Sequence, residues 1–386
     1  MIRVIAVLSP GQGAQTPGML SPWLELDGVA EQLAGFGELA QLDLTRLGTT
    51  ATAEEIVDTA VTQPLIVAAG LIVAGQLNLG ALAEQSVISA GHSIGEVTAA
   101  AVAGVLTDEQ AIQFATRRGR EMAAACELAP TGMAAALGGE ASAVLAAIAA
   151  AGLTPANRNG AGQIVAAGST EAIEKLVANP PAGVRFRTLK VAGAFHTEYM
   201  APAERNLRTV ADELTVADPR QILLSNADGT AIGSGRTMLS RLVAQVTRPV
   251  RWDLCQQTMR TLGVTGFVEL TPAKTLTGIA KRELPELRPV AVKTPDDLAA
   301  ARQMLAEAGG PPPVPAQVTT SALGIFTRVQ GLVEGAAVRA GSRIGTVRTD
   351  HDEVAVVAPA SGVLQQWLRN DGDVLGAAGL PVARMA

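Results

Sequence analysis

In the stretch SAGHSIGEVTAA, residues 89–100, Ser93 lies between His92 and Ile94, with glycines at Gly91 and Gly95. Gly-x-Ser-x-Gly between an apolar run and a helix-like segment is the pattern of a nucleophile elbow, a sharp strand-to-helix turn that exposes the hydroxyl. A serine hydroxyl attacks poorly until a base takes its proton. The chain offers three histidines, His92, His196 and His351. His92 ends the strand that precedes the serine, where consecutive side chains face opposite ways, so a packed role is expected for it. His351 falls in a hairpin-like loop near the far end and reads as a surface residue. His196, in GAFHTEYMAPA, is left as the base if the elbow is real. Attack on a carbonyl creates an oxyanion, and the N–H of Ile94, the residue after the nucleophile, is one expected donor to it. A second donor is expected from PGQGAQ after the first apolar run, with an ordinary glycine-rich turn as the competing reading.

The elements that must carry these groups follow from periodicity. IRVIAVLSP predicts a buried strand ended by Pro10 and Gly11. TQPLIVAAGLIVAGQL predicts a helix, QSVISAGHS a second buried strand, and IGEVTAAAVAGVL a helix that begins after Ser93. TDEQAIQFATRRGREMAAACE predicts another helix, with Asp108 and Glu109 near its start. Strands alternating with helices predict an α/β core with a parallel sheet. Residues 132–195 then read β-α-β-β-α-β, a split-βαβ or ferredoxin-like insertion. Beyond it, ADELTV and QILLSNADG precede one helix around MLSRLVAQVTRPVRW. VTGFVEL is a late strand, and TPDDLAAARQMLAEAG a helix with Pro295 in its first turn. GGPPPVPAQ has the composition of a stiff linker. Five short strand-like pieces follow, separated by Gly- and Asx-rich turns, which predicts a small all-β domain. Within it GAAVRAGSRIGTV and GDVLGAAGLPVARM are loosely alike, as two interlocking halves would be. The expected organisation is a core of residues 1–131 and 196–308, an insert of 132–195, a linker of 309–320 and a β domain of 321–386.

Composition narrows the function classes. A chain of 386 residues that is 48% hydrophobic and 17% charged is long and apolar enough for a folded protein of two or more domains. A net charge of -6 and 3% aromatics give no reason to expect nucleic acid or an anionic membrane as partner. Cys126 and Cys255 lie far apart without metal-ligand spacing, so both read as buried thiols in a reducing cytoplasm, and no metal is expected. The N-terminal MIRVIAVLSPGQG has too short an apolar run for a signal peptide. LIVAAGLIVAGQLNLGAL, residues 65–82, is long and apolar but holds Gln76 and Asn78 without a flanking basic cluster, so a helix buried on all sides is expected.

SPGQGAQTPGML, TQPLI, GHSIGE, RRGREM, ANRNGAGQIVAAG, GAFH and QVTRPVRW occur in the order and approximate spacing of one family. Over about residues 2–308 the chain resembles malonyl-CoA:acyl carrier protein transacylases and the acyltransferase domains of polyketide synthases. The resemblance implies an α/β-hydrolase-like core with a parallel sheet and an inserted ferredoxin-like subdomain. It makes Ser93 the acylated nucleophile and His196 the general base and acid. Gln12 matches the residue whose N–H joins that of Ile94 in the oxyanion hole. Arg118 matches the arginine that grips the free carboxylate of the malonyl group, a task that suits the planar guanidinium fork. By residue type alone Arg118 would be a helix surface charge, as Arg117 and Arg120 are expected to be. Gln245 matches the position whose main-chain carbonyl orients the histidine, replacing the aspartate of a triad. Gln63 and Asn159 match polar residues near the site. Phe195 matches a position associated with malonyl over α-methylated malonyl units. The resemblance implies malonyl-CoA and an acyl carrier protein as partners, the CoA thioester as substrate, no bound cofactor, and ping-pong transfer in fatty acid or polyketide biosynthesis. In TPAKTLTG, Thr271 and Ala273 stand where the family often has Gly-Pro-Gly, so that turn is expected to differ locally.

Residues 321–386 resemble a biotinyl/lipoyl-like barrel-sandwich domain, through EVAVVAPASGVLQQWLRNDGDVL. Such carriers present a lysine on a tight hairpin. Here the hairpin is RTDHDEVA, with His351 or Asp352 near that position, and the last lysine of the chain is Lys293. Biotinylation and lipoylation of this domain are therefore excluded chemically, leaving docking, dimerisation or carrier positioning as expected roles. Two other functions compete with malonyl transfer: a serine hydrolase that clears acyl groups from carrier proteins, and a non-catalytic scaffold.

Overall fold

The computed structural model describes residues 3–82, 87–308, 316–349 and 352–385. His351 and residues 309–315 of the expected linker lie outside them. The strands up to the linker run in the order β1 (Val4–Ser9), β2 (Val87–Gly91), β3 (Thr131–Leu137), β4 (Thr154–Gly160), β5 (Gln163–Ser169) and β6 (Arg185–Thr188). They continue with β7 (Ile222–Leu224), β8 (Ala231–Ile232), β9 (Val250–Arg251), β10 (Val264–Glu269) and β11 (Arg288–Ala291). Six of them make one sheet in the order β11-β10-β1-β2-β7-β8. Every neighbouring pair is parallel except β7 with β8. β1 and β2 are buried along nearly their whole length, which is why both read as unbroken apolar runs rather than as alternating ones.

Helices cover this sheet. Thr59–Gln76 packs against Asp108–Cys126. Among the described residues it is the one helix long and apolar enough to cross a membrane, but 78% of it is buried inside the protein, which accounts for its composition. Asp108–Cys126 begins at a capping box in which Thr107 and Gln110 satisfy each other's backbone N–H groups.

The insert forms its own sheet in the order β6-β3-β5-β4, antiparallel throughout, with helices Ala141–Ala150 and Thr170–Ala178 packed on it. The expected β-α-β-β-α-β order is present. β9, from the later part of the chain, adds a fifth, parallel strand beside β4 and ties the insert to the core.

Two expectations are corrected. MLSRLVAQVTRPVRW is not one helix. Helix Gly235–Ala244 tightens into a 3₁₀ turn at Gln245–Thr247, then breaks, and a new helix starts at Trp252 after β9. Pro249 is the cause: it has no N–H and pushes the preceding residue out of the helical region, and Arg248 sits at φ -117, ψ 148. The second correction concerns the linker, expected over 309–320. A strand, β12 (Ala316–Thr319), already occupies its end.

The remaining strands are β13 (Gly324–Arg328), β14 (Ala337–Val338), β15 (Arg343–Arg348), β16 (Glu353–Val357), β17 (Gly362–Trp367), β18 (Val374–Leu375) and β19 (Pro381–Met385). They build two four-stranded antiparallel sheets, β12-β19-β17-β14 and β16-β15-β13-β18, around Phe326, Ile344, Val347, Leu364 and Val382. The two orders correspond strand for strand. The short β14 leaves its own half to edge the sheet of β17 and β19, and β18 does the reverse, so the two similar sequences do interlock. This unit meets the edge of the core sheet, where Ala231 N–H donates to the Gly335 carbonyl at 2.8 Å. Gly335 has φ +88, and a Cβ there would lie 2.5 Å from the Ala231 oxygen, so the approach needs glycine.

Candidate active site

The site begins at the end of β2. Ser93 has φ +54, a left-handed conformation rare for a residue with a side chain, and it turns the chain from β2 into helix Gly95–Val102. The turn is held by Ser93 N–H donating to Asn226 Oδ1 at 2.9 Å and by His92 N–H donating to the Ser9 carbonyl at 3.0 Å. Helix Gly95–Val102 lies so close to β1 that a Cβ on Gly95 would sit 2.1 Å from the Ser9 oxygen. The glycine of the motif is thus a packing requirement.

His196 also has a positive φ, +61, and is 3% exposed. Its Nε2 is 2.8 Å from Ser93 Oγ, and its Nδ1 is 2.8 Å from the main-chain carbonyl of Gln245. The carbonyl can only accept, so Nδ1 carries the proton and Nε2 is free to accept from the hydroxyl. Burial, reinforced by the Arg118 charge, pulls His196 down to about 3. The imidazole is neutral, and able to act as a base, throughout the neutral range.

Arg118 lies within its helix at 1% exposure. One terminal nitrogen donates to Gln63 Oε1 at 2.7 Å; the other donates to Gln245 Oε1 at 2.9 Å and reaches Ser93 Oγ at 3.4 Å. Its Nε is buried without a partner among the described residues. Burial lowers it to about 10, with Glu96 opposing, so it stays charged near neutral pH. Arg117 and Arg120 are the surface charges expected: one pairs with Glu121, the other bonds to the Ala40 carbonyl.

Gln12 follows β1 and its side-chain amide donates to Thr59 Oγ1 at 3.3 Å. Neither the Gln12 N–H nor the Ile94 N–H has a hydrogen-bond partner among the described residues. Phe195 is buried in the main core beside His196. Asn159 stands one step away: its Oδ1 is 2.8 Å from His92 Nε2, and its other hydrogen bonds go to Gln163 and Gln256. His92 packs edge-on against Trp252 and stays in the structural role expected of it. Cys255 is buried and Cys126 half-buried, both free, and the described residues hold no cluster suited to a metal.

Two residues escaped the sequence reading. Glu96, with no exposed surface, accepts from Asn226 N–H at 2.6 Å and from the Gln245 side-chain amide. Burial raises it to about 8. Asn226 holds both the Ser93 N–H and the Gly91 carbonyl. A lone carboxylate in the otherwise uncharged helix GEVTAAAV was a usable signal for Glu96. Asn226, in a turn-like SNADG, gave none.

These shifts fix a stability profile. His196 and His92 are lowered from 6.5, so the stability tied to their neutral forms is lost as pH falls below 6.5. Glu96 is raised from 4.5, so its contribution is lost as pH rises toward 8. Between pH 6.5 and 8 Glu96 alone of the three acts, and unfolding free energy should fall by about 2 kcal/mol. Urea unfolding across that interval checks this, and Glu96→Gln should flatten the fall.

A buried imidazole on a serine at a strand–helix elbow, above a parallel sheet, defines the serine–histidine class of α/β enzymes. A family model for the acyl transferase domain matches residues 7–296. The malonyl CoA-acyl carrier protein transacylase of Mycobacterium tuberculosis is 55% identical over 296 residues, which is 76% of this chain and 98% of that protein. The crystal structure of MCAT from Mycobacterium tuberculosis superposes with a TM-score of 0.75 at 54% identity, covering 78% of this chain and 100% of the other. A malonyl-transacylase solved in complex with its type II PKS acyl-carrier protein gives 0.73 at 28% identity, covering 78% of this chain and 99% of the other. The chain belongs to the acyl transferase domain family. The family match ends before the β12–β19 unit begins.

Proposed function

We propose that the protein moves a malonyl group from malonyl-CoA to the phosphopantetheine thiol of an acyl carrier protein through a malonyl-serine intermediate. Ser93 Oγ attacks the thioester carbonyl while His196 Nε2 takes its proton. The oxyanion rests on the N–H groups of Gln12 and Ile94, which have no other partner among the described residues. The intermediate collapses, the C–S bond breaks, and His196 returns the proton to the CoA thiolate. The carrier thiol then attacks the malonyl ester, its proton passing through His196 to Ser93. The Gln245 carbonyl holds the imidazolium that forms in each half-reaction. Arg118 grips the malonyl carboxylate, steadied by Gln63; Phe195 shapes the pocket beside it, and Asn159 supports the wall through His92.

One observation carries the malonyl assignment: a charged, buried guanidinium 3.4 Å from Ser93 Oγ. A carboxylate that displaces the hydroxyl or an amide from that guanidinium meets two parallel donors. An editing hydrolase of neutral acyl groups has no use for such a cation. We read residues 132–195 as a ferredoxin-like subdomain and residues 321–386 as a barrel-sandwich of the biotinyl/lipoyl type that serves docking rather than carriage. Labelled malonyl-CoA mixed with the protein and a holo carrier protein tests the reading. Label is expected on the carrier; free malonate in excess of malonyl carrier would favour the hydrolase.

A further inference from the structure

We infer that Glu96 is a positioning residue for malonyl transfer, fixing the Gln245 side chain and thereby the arginine and the histidine that work on the substrate. The inference rests on the reading of Arg118 as the clamp for the malonyl carboxylate.

An amide has a donor end and an acceptor end, and a flip exchanges them. The Gln245 Oε1 faces Arg118 at 2.9 Å, while its Nε2 faces the Glu96 carboxylate. Ionised, Glu96 only accepts and so imposes that orientation; protonated, as it is below about pH 8, it gives up one acceptor oxygen and holds the amide less firmly. A flipped amide would set its NH₂ against the guanidinium, two donors facing each other. The same glutamine holds His196 Nδ1 through its main-chain carbonyl. The other carboxylate oxygen accepts from the Asn226 N–H, and the Asn226 side chain spans the Ser93 N–H and the Gly91 carbonyl. One buried carboxylate thus stands behind all three working groups, reaching each through an amide. Among the described residues it makes no ion pair: Arg118, Arg241, Asp228 and Cys255 surround it electrostatically, and Arg241 pairs with Asp228 instead. Ionising a buried carboxyl without a paired cation costs stability, so its presence here points to placement rather than to folding.

Glu96→Gln keeps the volume but presents an NH₂ to one of two donors, Gln245 Nε2 or Asn226 N–H. Rapid-quench mass spectrometry would follow acylation of Ser93 by malonyl-CoA and by acetyl-CoA, with thermal melts beside it. The variant should melt cooperatively and lose the malonyl-over-acetyl rate ratio by about tenfold. A cooperatively melting variant with the wild-type ratio overturns the inference. Should the variant not fold, the wild-type ratio between pH 6.5 and 9 decides. It should rise as Glu96 ionises near pH 8, because His196 is held low, Cys255 is held high, and Arg118, at about 10, keeps its charge through that rise. A flat ratio overturns the inference while leaving malonyl transfer intact. Wild-type protein that takes no label from malonyl-CoA would instead overturn the reading on which the inference stands.

Discussion

Ser93→Ala is expected to bring malonyl transfer to the uncatalysed background while the protein stays folded. The hydroxyl is the atom on which Nε2 of His196 and the guanidinium of Arg118 converge, and alanine removes it without adding bulk. The strained φ of +54 is unrelieved by alanine, so the folded state changes little. His196→Ala should slow acylation by about 10²- to 10⁴-fold, the usual range for loss of a general base. The double variant should be no slower than Ser93→Ala, because the two groups act as a unit. Transfer of labelled malonyl to holo carrier protein measures all three. A folded Ser93→Ala protein that transfers malonyl at a rate near the wild type would remove the serine from the mechanism.

Arg118→Ala should abolish the preference for malonyl over acetyl units. A charge-assisted hydrogen bond contributes about 1.5–3 kcal/mol, which predicts a loss of about 10- to 150-fold in kcat/KM for malonyl-CoA. Acetyl-CoA supplies the control, since damage to the site in general slows both substrates alike. Such damage is expected: removing the guanidinium leaves the carbonyl oxygens of Gln63 and Gln245 facing an empty space. Arg118→Lys should recover only part of the preference, because a single ammonium cannot hold both carboxylate oxygens in plane. An unchanged malonyl-to-acetyl ratio in Arg118→Ala would assign the carboxylate to some other cation.

Much of this site was legible in the sequence, for local reasons. Gly91, Ser93 and Gly95 form one turn, so their spacing encodes its geometry directly. β1 and β2 were readable because central parallel strands are buried on both faces. Other features depend on contacts that no local pattern records. The roles of Gln245 and Arg118 came through family resemblance, since an arginine amid RRGREM looks like a solvated helix face. It is the packing of its helix against Thr59–Gln76 that turns this one arginine inward. The carboxylate of Glu96 meets partners 130 and 149 positions further along. The flanking residues keep an apolar period across Pro249, which hides the break that the proline makes in the helix. β12 was hidden by the prolines before it, and only its partner β19 makes it a strand.

Ser93 itself carries the malonyl group between donor and acceptor in the proposed reaction. The most direct test of this is to mix the full-length protein with malonyl-CoA in the absence of any carrier protein, quench in acid, and map the acylated peptide by mass spectrometry. One malonyl group per chain is expected, on the peptide containing Ser93, discharged when holo carrier protein is added before the quench. A malonyl group on any other residue, or none on a folded protein, would contradict it.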